Sequence, residues 1–447
     1  MTTFPLVRHN HLDDIFAWSS SGSIRVRDFL ADAEALAAQL PGSRYLLNAC
    51  QDRYRFAVGF AAGLLTGKTS LQPSSQSADT LRRVQHDFSD VFCLCDSKFD
   101  GPEMPRIDFP VLADANPEAV SNIPEISADH VAACLFTSGS TGTPMPHFKT
   151  WGRLVLNGLA EAERLGLFGR PYSIVGTVPV QHAFGFESTF LLALHGQSPF
   201  WSGKPFYPQD IADALESVPR PRLLVTTPFH LSTLLASGLA LPAMDMLLSA
   251  TAPLSMTLAA EAESRFGAPL YEIYGSTETG QIASRRTTAN QTWRLLAGVQ
   301  LEQEDGQTFA SGGHVEGRVG LSDNIEMLAD GCFRLHGRNA DLVNIAGKRS
   351  SLAYLNHQAS SIPGVVDIAF FMPHDKAQDG ITRLCAFVVA PELRSQTLLA
   401  RLRGCIDQVF LPRPLIFLEQ LPRNSTGKLP HSRLQALYTE WLSHAGR

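Results

Sequence analysis

The sequence predicts an α/β protein in which helices pack on largely parallel sheets. Three observations support this class: short apolar runs alternate with amphipathic segments, turn signals separate them, and the chain is long enough for several cores. With 447 residues, 44% apolar and 18% charged, it has the composition of an ordinary globular protein of about two or three units. Ligand sites in such proteins lie beyond the carboxyl ends of the strands.

The N-terminal part shows the alternation most clearly. Residues 26–40 place apolar side chains on one helical face, and Pro41-Gly42 follows as a stop signal. Residues 45–49 are predicted to be a buried strand and residues 53–65 a second packed helix. Further buried strands are predicted at residues 173–179, 222–226, 245–250 and 270–274.

From about residue 290 the pattern changes to short segments that predict β-hairpins. Their turn signals are Glu304-Asp305-Gly306, Ser311-Gly312-Gly313 and Ala329-Asp330-Gly331. After Arg338 a new alternation begins, with helices predicted at residues 350–360 and 395–409 and strands at residues 365–372 and 384–389. We therefore expect two domains, residues 1–337 and residues 338–447.

Charge and hydropathy exclude several classes of protein. The net charge of −6 comes without a run of Lys and Arg, so we expect no nucleic-acid partner. The longest apolar stretch, near residues 56–65, is about half the roughly 20 residues that span a membrane. The N-terminus does not resemble a secretory signal. A cytoplasmic protein without a membrane partner is expected, and its seven scattered cysteines are predicted to be reduced and mostly buried.

Residues 135–151 read LFTSGSTGTPMPHFKTW, an apolar strand followed by consecutive Gly, Ser and Thr. Such a segment can turn its backbone N–H groups and hydroxyls inward and bind phosphate. A flexible surface loop is the alternative for the segment taken alone. A P-loop fails on spacing, because Gly142 is followed by Thr143-Pro144 and Lys149 lies well downstream.

Three further segments contain polar residues in suggestive positions. In residues 271–280, YEIYGSTETG, the Glu278 carboxylate lies beside two hydroxyls and could hold a Mg²⁺ that bridges phosphates. Thr277 could equally cap a helix. Asp323 and Arg338 flank a predicted hairpin, and Lys428 lies in the loop LPRNSTGK; taken alone, these would be ordinary solvated residues.

Taken in this order, the four segments resemble the adenylate-forming ANL superfamily of acyl-CoA synthetases, adenylation domains and luciferases. TSGSTGTP at residues 137–144 resembles its phosphate loop, YGSTE at 274–278 its nucleotide and metal motif, and residues 421–428 its C-terminal lysine loop. The resemblance implies a large α/β domain with a β-rich subdomain and a small mobile α+β domain. It implies that a carboxylate attacks ATP to give an acyl-adenylate and pyrophosphate, and that a thiol then takes the acyl group.

The resemblance also implies roles for individual residues. Glu278 would bind Mg²⁺, and Lys428 would reach the substrate carboxylate and the α-phosphate, where negative charge accumulates. With Thr277 and Thr137 these form the implied catalytic set. No tightly bound organic cofactor is expected beside ATP and Mg²⁺. The implied nucleotide-binding positions are Thr137, Ser138, Gly139, Ser140, Thr141, Gly142, Thr251, Ala252, Pro253, Tyr274, Gly275, Ser276, Thr277, Asp323 and Arg338.

Within this set the phosphates, adenine and ribose would have separate partners. Residues 137–142 would hold the β- and γ-phosphates, and Thr277 the α-phosphate. Tyr274 would stack on adenine, with residues 251–253 as the opposite wall. Asp323 and Arg338 would hold the ribose hydroxyls.

The acyl pocket is placed by PVQHAFGFE, which matches the superfamily's P-x-x-H-x-x-G segment. A flat apolar slot with one polar group would suit an aromatic acid, although Phe184 could also be a core residue. The implied substrate-binding residues are His182, Phe184, Phe229, Ala250 and Gly275.

Within the superfamily the chain looks like the compact ligases of aryl polyene pigment pathways, whose xanthomonadin type activates 4-hydroxybenzoate. The expected acceptor is the phosphopantetheine thiol of an acyl carrier protein, with CoA as the alternative. An inactive nucleotide-binding homologue is disfavoured, because Lys428 and Glu278 are both present.

The sequence departs from the superfamily pattern at four places. Met145-Pro146 stands where Lys-Gly is usual, so a lysine there is dispensable or is replaced by Lys149, and Tyr354-Leu355-Asn356 stands where E-I-E is usual. Residues 321–323 keep only the acid of the usual T-G-D. The hinge position, commonly Asp or Lys, is Ala340, which can still absorb a change in φ and ψ.

Overall fold

The computed structural model describes residues 2–73, 76–99, 101–137, 145–338, 342–345, 348–373, 384–423 and 429–445. The strands are β1 (Thr3–Pro5), β2 (Ile15–Ser19), β3 (Gly22–Arg25), β4 (Tyr45–Asn48), β5 (Thr69–Gln72), β6 (Val91–Cys95), β7 (Arg106–Asp108), β8 (Glu125–Ser127), β9 (Val131–Thr137), β10 (Met145–Thr150), β11 (Ser173–Gly176), β12 (Phe200–Trp201), β13 (Arg222–Thr226), β14 (Met246–Ser249), β15 (Leu270–Ser276), β16 (Gly280–Arg286), β17 (Trp293–Leu295), β18 (Val299–Glu304), β19 (Gln307–Gly312), β20 (Arg318–Gly320), β21 (Asp323–Met327), β22 (Cys332–Arg338), β23 (Leu342–Ile345), β24 (Lys348–Ser351), β25 (Asp367–Phe371), β26 (Cys385–Val389) and β27 (Leu415–Phe417).

The helices are α1 (Val26–Ala37), α2 (Arg53–Leu65), α3 (Ala78–Asp87), α4 (Trp151–Leu165), α5 (Ala183–Gly185), α6 (Leu192–His195), α7 (Pro208–Glu216), α8 (Pro228–Ala236), α9 (Met256–Phe266), α10 (Leu352–Ser360), α11 (Ser395–Cys405) and α12 (His431–Ala445). Phe186–Leu191 forms a π-helix between α5 and α6. Short 3₁₀ turns lie at Pro117–Ala119 and Gln408–Phe410.

Two large sheets organise the chain up to Arg338. The first has the order β10-β9-β5-β4-β6-β7, and the second has the order β21-β22-β17-β16-β15-β14-β13-β11-β12-β2-β3. Strands β9-β5-β4-β6-β7 and β15-β14-β13-β11-β12-β2 pair in parallel. The predicted α/β class with parallel sheets is confirmed.

Local sequence explains where the main elements begin and end. Strand β13, RLLVT, is almost wholly buried, as expected for a parallel strand covered on both faces. Helix α2 begins at Asp52, whose side chain accepts the Arg55 N–H at 2.9 Å, the usual cap of an orphan donor. Helix α4 ends at Gly166, which takes a left-handed φ of 67° that glycine adopts without strain.

The hairpin signals near residues 305, 312 and 330 all mark turns: β18, β19 and β20 form an antiparallel sheet, and β21 pairs with β22. Three predicted helices are shorter than expected. The first, predicted over residues 26–40, ends at Ala37. The one expected from residue 350 begins at Leu352, because β24 pairs with β23 as a hairpin. The one expected to residue 409 ends at Cys405.

Residues after Val343 supply apolar clusters of their own, around β25, β26 and α11 and around β27 and α12. The clusters of the preceding chain draw on residues up to Leu335. Five of the cysteines are buried, namely Cys50, Cys93, Cys95, Cys134 and Cys385. Within the described residues, no helix is both long and apolar enough to span a membrane.

Candidate active site

A turn between β15 and β16 presents the residues of the second motif. Strand β15 continues through Gly275 and Ser276, so the chain turns two residues later than the sequence suggested, at residues 277–279. The Ser276 N–H donates to Thr279 Oγ1 at 3.2 Å, and the Thr279 N–H donates to Ser276 Oγ at 3.3 Å. Thr277 and Glu278 lie between them, half-buried. Thr277 therefore lies in a strand-to-strand turn and caps no helix.

Gly275 is required for a reason other than the predicted room for substrate. A Cβ at Gly275 would lie 2.2 Å from the Gly280 carbonyl oxygen, closer than any side chain can approach. Gly280 itself has a φ of +73°, a conformation that glycine takes readily. The YGSTETG sequence thus permits a tight antiparallel turn.

The candidate ribose and adenine residues are brought together by β15, β21 and β22. The Tyr274 hydroxyl donates to Asp323 Oδ2 at 2.7 Å. Asp323 stands opposite Arg338 in the β21–β22 register. The ring of Tyr274 packs on Trp293 and Phe333, with ring centroids 5.6 and 5.7 Å apart. Three positions that the sequence placed around one nucleoside therefore do adjoin one another.

The candidate adenine wall, residues 251–253, is fixed by a buried carboxylate. Thr251 has a φ of 77°, which is uncommon for a β-branched residue and is often found at functional sites. Glu272 accepts the Leu254 N–H at 3.2 Å and Arg285 Nε at 2.7 Å. Ala252 is half-buried and Pro253 exposed. The segment of residues 251–253 is thus held to β15 through Leu254, three residues after the strained residue Thr251.

The strand that follows the phosphate loop brings the first sheet to the turn of the second. The Thr137 hydroxyl, at the end of β9, lies 3.3 Å from His147 Nε2 on β10. Two residues on, Lys149 Nζ donates to the Glu278 carbonyl at 2.6 Å. Burial lowers the pKa of His147, and the charge of Glu278 opposes that shift. Thr137, His147 and Glu278 are therefore neighbours across the two sheets.

A buried set of ionisable groups lies behind the turn. Burial raises the pKa of Glu187, and Lys149 opposes that rise. Burial likewise raises the pKa of Glu161 to about 7, and hydrogen bonds from Ser188 and Gln281 oppose the rise. Glu187 and Ser188 belong to the π-helix, a geometry frequent at functional sites.

The acyl-side residues lie at the carboxyl ends of the parallel strands. His182 is half-buried at the start of α5, and Phe184 is buried. Phe229 begins α8 after β13 with 46% of its surface exposed, whereas Ala250, after β14, is 7% exposed. The ring of Phe229 contacts His230 edge-on at 5.4 Å. These candidate residues thus follow β11, β13 and β14 and differ in exposure.

Several predicted residues lie outside the described part of the chain: Ser138, Gly139, Ser140, Thr141 and Gly142 of the phosphate loop, the hinge residue Ala340 and the catalytic candidate Lys428. Their roles remain predictions from the sequence.

The sequence reasoning missed His147, Glu187 and Glu272. His147 alternates with Lys149 along the strand MPHFKT, and that period of two could have placed both on one face. Glu187 interrupts the apolar run FGFESTFLLAL, a sign of a buried charge with a partner. No local signal marks Glu272, because its partners come from β16 and the segment after β14.

The residues described fit a nucleotide-bound Mg²⁺ better than a metal held by protein alone. In the described ranges no three His, Cys, Asp or Glu residues lie close enough to hold a metal ion. Mg²⁺ usually takes one or two carboxylates and fills its other positions with phosphate oxygens and water. A single half-buried carboxylate, Glu278, suits that arrangement.

The chain is similar in sequence to known proteins. The family profile of AMP-binding enzymes matches residues 44–308. A 4-coumarate–CoA ligase of Halorhodospira halophila is 29% identical over 328 residues, which cover 69% of this chain and 79% of that protein. A 3-hydroxybenzoate–CoA/4-hydroxybenzoate–CoA ligase of Thauera aromatica is 34% identical over 114 residues, 24% of this chain and 21% of that one.

A solved structure confirms the fold. The o-succinylbenzoate CoA synthetase of Bacillus subtilis, in complex with an acyl-adenylate intermediate, superposes with a TM-score of 0.82 at 18% identity and covers 97% of this chain and 99% of that chain. The family profile spans more than half of the sequence and includes residues 137–144 and the turn at residues 277–279. The chain therefore belongs to the AMP-binding enzyme family of the adenylate-forming superfamily, and it is an adenylate-forming ligase that uses ATP and Mg²⁺.

Proposed function

We propose that the protein activates an aromatic carboxylic acid as its acyl-adenylate, releases pyrophosphate and passes the acyl group to a thiol. The bond from Lys149 Nζ to the Glu278 carbonyl carries this proposal. It joins the strand after the phosphate loop to the turn that presents Thr277 and Glu278. The residues proposed to bind the β- and γ-phosphates and those proposed to bind the α-phosphate are thereby held side by side.

The residues of the chain divide the work of the first half-reaction. Backbone N–H groups and hydroxyls from Thr137 onward would hold the departing pyrophosphate. Thr277 would hold the α-phosphate, and Lys428 would bring positive charge to the point where two anions meet. Mg²⁺, held by Glu278, would neutralise charge on the phosphate oxygens. Tyr274 and Asp323 would orient the nucleoside, which lowers the entropic barrier to attack.

For the acid we propose an aromatic ring, with 4-hydroxybenzoate as the first candidate. Phe229 offers an exposed aromatic ring after β13, His182 is a half-buried polar residue after β11, and Phe184 packs in the core next to it in sequence. The relative named a hydroxybenzoate ligase and the one named a 4-coumarate ligase support an aromatic substrate. An apolar pocket with a few placed polar groups selects such a ring.

For the acceptor we propose the phosphopantetheine thiol of an acyl carrier protein. Free CoA is the second candidate, because the relatives named above are CoA ligases. Both acceptors end in the same thiol arm, so the chemistry of transfer is shared. The two differ in what must dock on the protein surface.

We further propose that residues 1–337 and 338–447 act as two domains, with Ala340 at the hinge. The separate apolar clusters after Val343 support this division. Helix α10 contacts β22, and burial lowers the pKa of His357 on α10, with Arg285 of the preceding part lowering it further. Domains of one chain commonly move relative to one another unless a large apolar interface joins them.

Pyrophosphate exchange with a panel of benzoates, cinnamates and fatty acids tests the substrate class. Exchange should be fastest with hydroxybenzoates. Exchange only with long aliphatic acids would contradict the aromatic assignment, and exchange with no acid would contradict the proposed activity. A second assay offers the activated enzyme CoA or a phosphopantetheinylated carrier protein and measures which one becomes acylated.

A further inference from the structure

Lys149 lies in the middle of a buried cluster of charges. It is 4% exposed, and its ammonium donates to the main-chain carbonyl of Glu278 at 2.6 Å. Burial lowers its pKa, and the charges of Glu187, Glu316 and Glu278 oppose that shift. Glu316 is held in turn by the N–H and the hydroxyl of Thr150, each at 2.7 Å.

Burying an ammonium group carries a large desolvation penalty. Removing a charge from water costs several kcal/mol, roughly, unless partners compensate, and an apolar side chain would pack β10 with less penalty. Here the compensating carboxylates come from the π-helix and from the segment before β20. The ammonium is aimed at one main-chain oxygen in the turn, so its specific effect is to fix that oxygen.

Glu187 holds the other end of the same turn. Its carboxylate accepts a backbone hydrogen bond from Gln281. A Cβ on Gly280 would lie 3.2 Å from Glu187 Oε1 and 2.8 Å from Asn157 Nδ2, so the main chain packs directly on these side chains. The turn is therefore fixed from behind at residue 278, which carries the candidate metal-binding carboxylate, and at residue 281.

We propose that Lys149, together with Glu187, is a positioning residue for the turn that binds Mg²⁺ and the α-phosphate. This inference rests on the proposed function. Lys149 acts through the main chain of Glu278 and does not contact the nucleotide. It thus does not replace the missing phosphate-loop lysine at the phosphates; it holds the metal-binding carboxylate from the protein side.

The test compares Lys149→Met with Lys68→Met. Lys68 is a matched control, because it is also buried and donates from Nζ to a main-chain carbonyl, that of Ser43, at 2.9 Å. It lies outside every part of the site. Two quantities are measured: the Mg²⁺ concentration that half-saturates pyrophosphate exchange, and Mn²⁺ binding in the presence of a non-hydrolysable ATP analogue by calorimetry.

We expect Lys149→Met to weaken Mn²⁺ binding and to raise the half-saturating Mg²⁺ concentration by roughly 10- to 100-fold, the range seen when groups that orient metal ligands are removed. The KM for the acid should change little, and Lys68→Met should match wild type in both measurements. Equal Mn²⁺ binding by Lys149→Met and wild type would overturn the proposal.

Loss of the lysine leaves Glu187 without its counter-charge, so a double variant, Lys149→Met/Glu187→Gln, is measured in parallel. It should fold and still show the weakened metal binding. If neither variant folds, the cluster is needed for folding and the positioning role is rejected. If wild type itself neither exchanges pyrophosphate nor binds the analogue, the proposed function fails instead, which separates the two conclusions.

Discussion

Two buried cations hold the two halves of the site, and they do so in different surroundings. Lys149 on β10 fixes the turn at residues 277–279 through the Glu278 carbonyl. Arg53 on α2 fixes the start of the segment that leads from β11 to His182. Its Nη2 donates to the carbonyls of Gly176 at 2.6 Å and Val178 at 3.0 Å, and its Nη1 donates to the carbonyl of Gly203. Both residues are almost fully buried.

The difference lies in their counter-charges. Three carboxylates support the charge of Lys149. Burial lowers the pKa of Arg53 to about 10, and Asp52 is the charge that opposes that shift. Arg53 is thus satisfied chiefly by neutral carbonyl dipoles. A neutral frame suits a segment that is proposed to accept an apolar ring, whereas the turn that is proposed to face the anionic phosphates is held by an ionic network.

The largest expected effect belongs to Lys428→Ala. Lys149 and Arg53 hold main-chain carbonyls in place, but neither is proposed to bring positive charge to the substrate carboxylate and the α-phosphate. Pyrophosphate exchange should fall by about 10²- to 10³-fold, as on removal of one transition-state donor, while the Kd for ATP changes little. Arg433→Ala, an exposed cation in the same part of the chain, is the control. Undiminished exchange in Lys428→Ala would show that another cation supplies the charge.

The next effect is on stability, from Arg53→Met. Losing the guanidinium leaves three buried or half-buried carbonyls unpaired at about 1–3 kcal/mol each, so the free energy of unfolding in urea should fall by at least about 3 kcal/mol. The KM for the acid should rise more than the KM for ATP, because the segment that moves leads to His182. Arg55→Met, exposed on the same helix, is the control. A variant as stable as wild type would mean that water or a neighbouring group satisfies those carbonyls.

The sequence predicted the fold class because its signals are local. Apolar runs, caps and turn residues identify α2, β13 and the hairpin turns almost to the residue. The sequence did not predict elements whose conformation depends on pairing with a neighbouring strand. Residues 350 and 351 belong to a strand because β23 lies beside them, and no property of the two serines indicates this. The π-helix at Phe186–Leu191 was likewise not predicted, because apolar residues on either side of Glu187 do not distinguish a π-helix from an α-helix.

For the site, the structure shows which candidate residues lie together. Tyr274 and Asp323, which come from motifs far apart in sequence, are hydrogen-bonded to each other, and their roles in binding a nucleotide stay predictions. The supporting residues were not found, because Lys149 and Glu187 meet across two sheets and a helix. Lys149 itself was considered only as a ligand for phosphate. Burial and charge partners become visible only in three dimensions.

A third prediction tests the ionic network behind the turn through pH. The pKa of Glu161 is raised by burial from 4.5 to about 7, so the folded state keeps a proton that the unfolded state releases. Stability from this group is present below pH 4.5 and is lost as pH rises through 7, by about 3 kcal/mol at 1.36 kcal/mol per unit.

Urea unfolding of wild type and Glu161→Gln at several pH values checks this. The wild type should lose stability relative to the variant between pH 5 and 7, and the difference should then level off. Glu163→Gln, exposed on the same helix, should track wild type at every pH. Parallel curves for wild type and Glu161→Gln would show that Glu161 is already ionised in the folded protein, and the network would then be charged throughout.

The smallest effect tests the neutral half of the site. Phe229 is 46% exposed, so truncating its ring removes only part of a contact worth about 1.5–3 kcal/mol when fully buried. Phe229→Ala should therefore raise the KM for a benzoate by about threefold, since roughly 0.6 kcal/mol is lost, and leave the KM for ATP unchanged. Phe168 is 45% exposed on a loop away from the site, and Phe168→Ala controls for a lost surface ring. If Phe229→Ala raised the KM for ATP as much as the KM for the acid, Phe229 and the turn at residues 277–279 would be coupled. Arg53 and Lys149 would then not support two separate parts of the site.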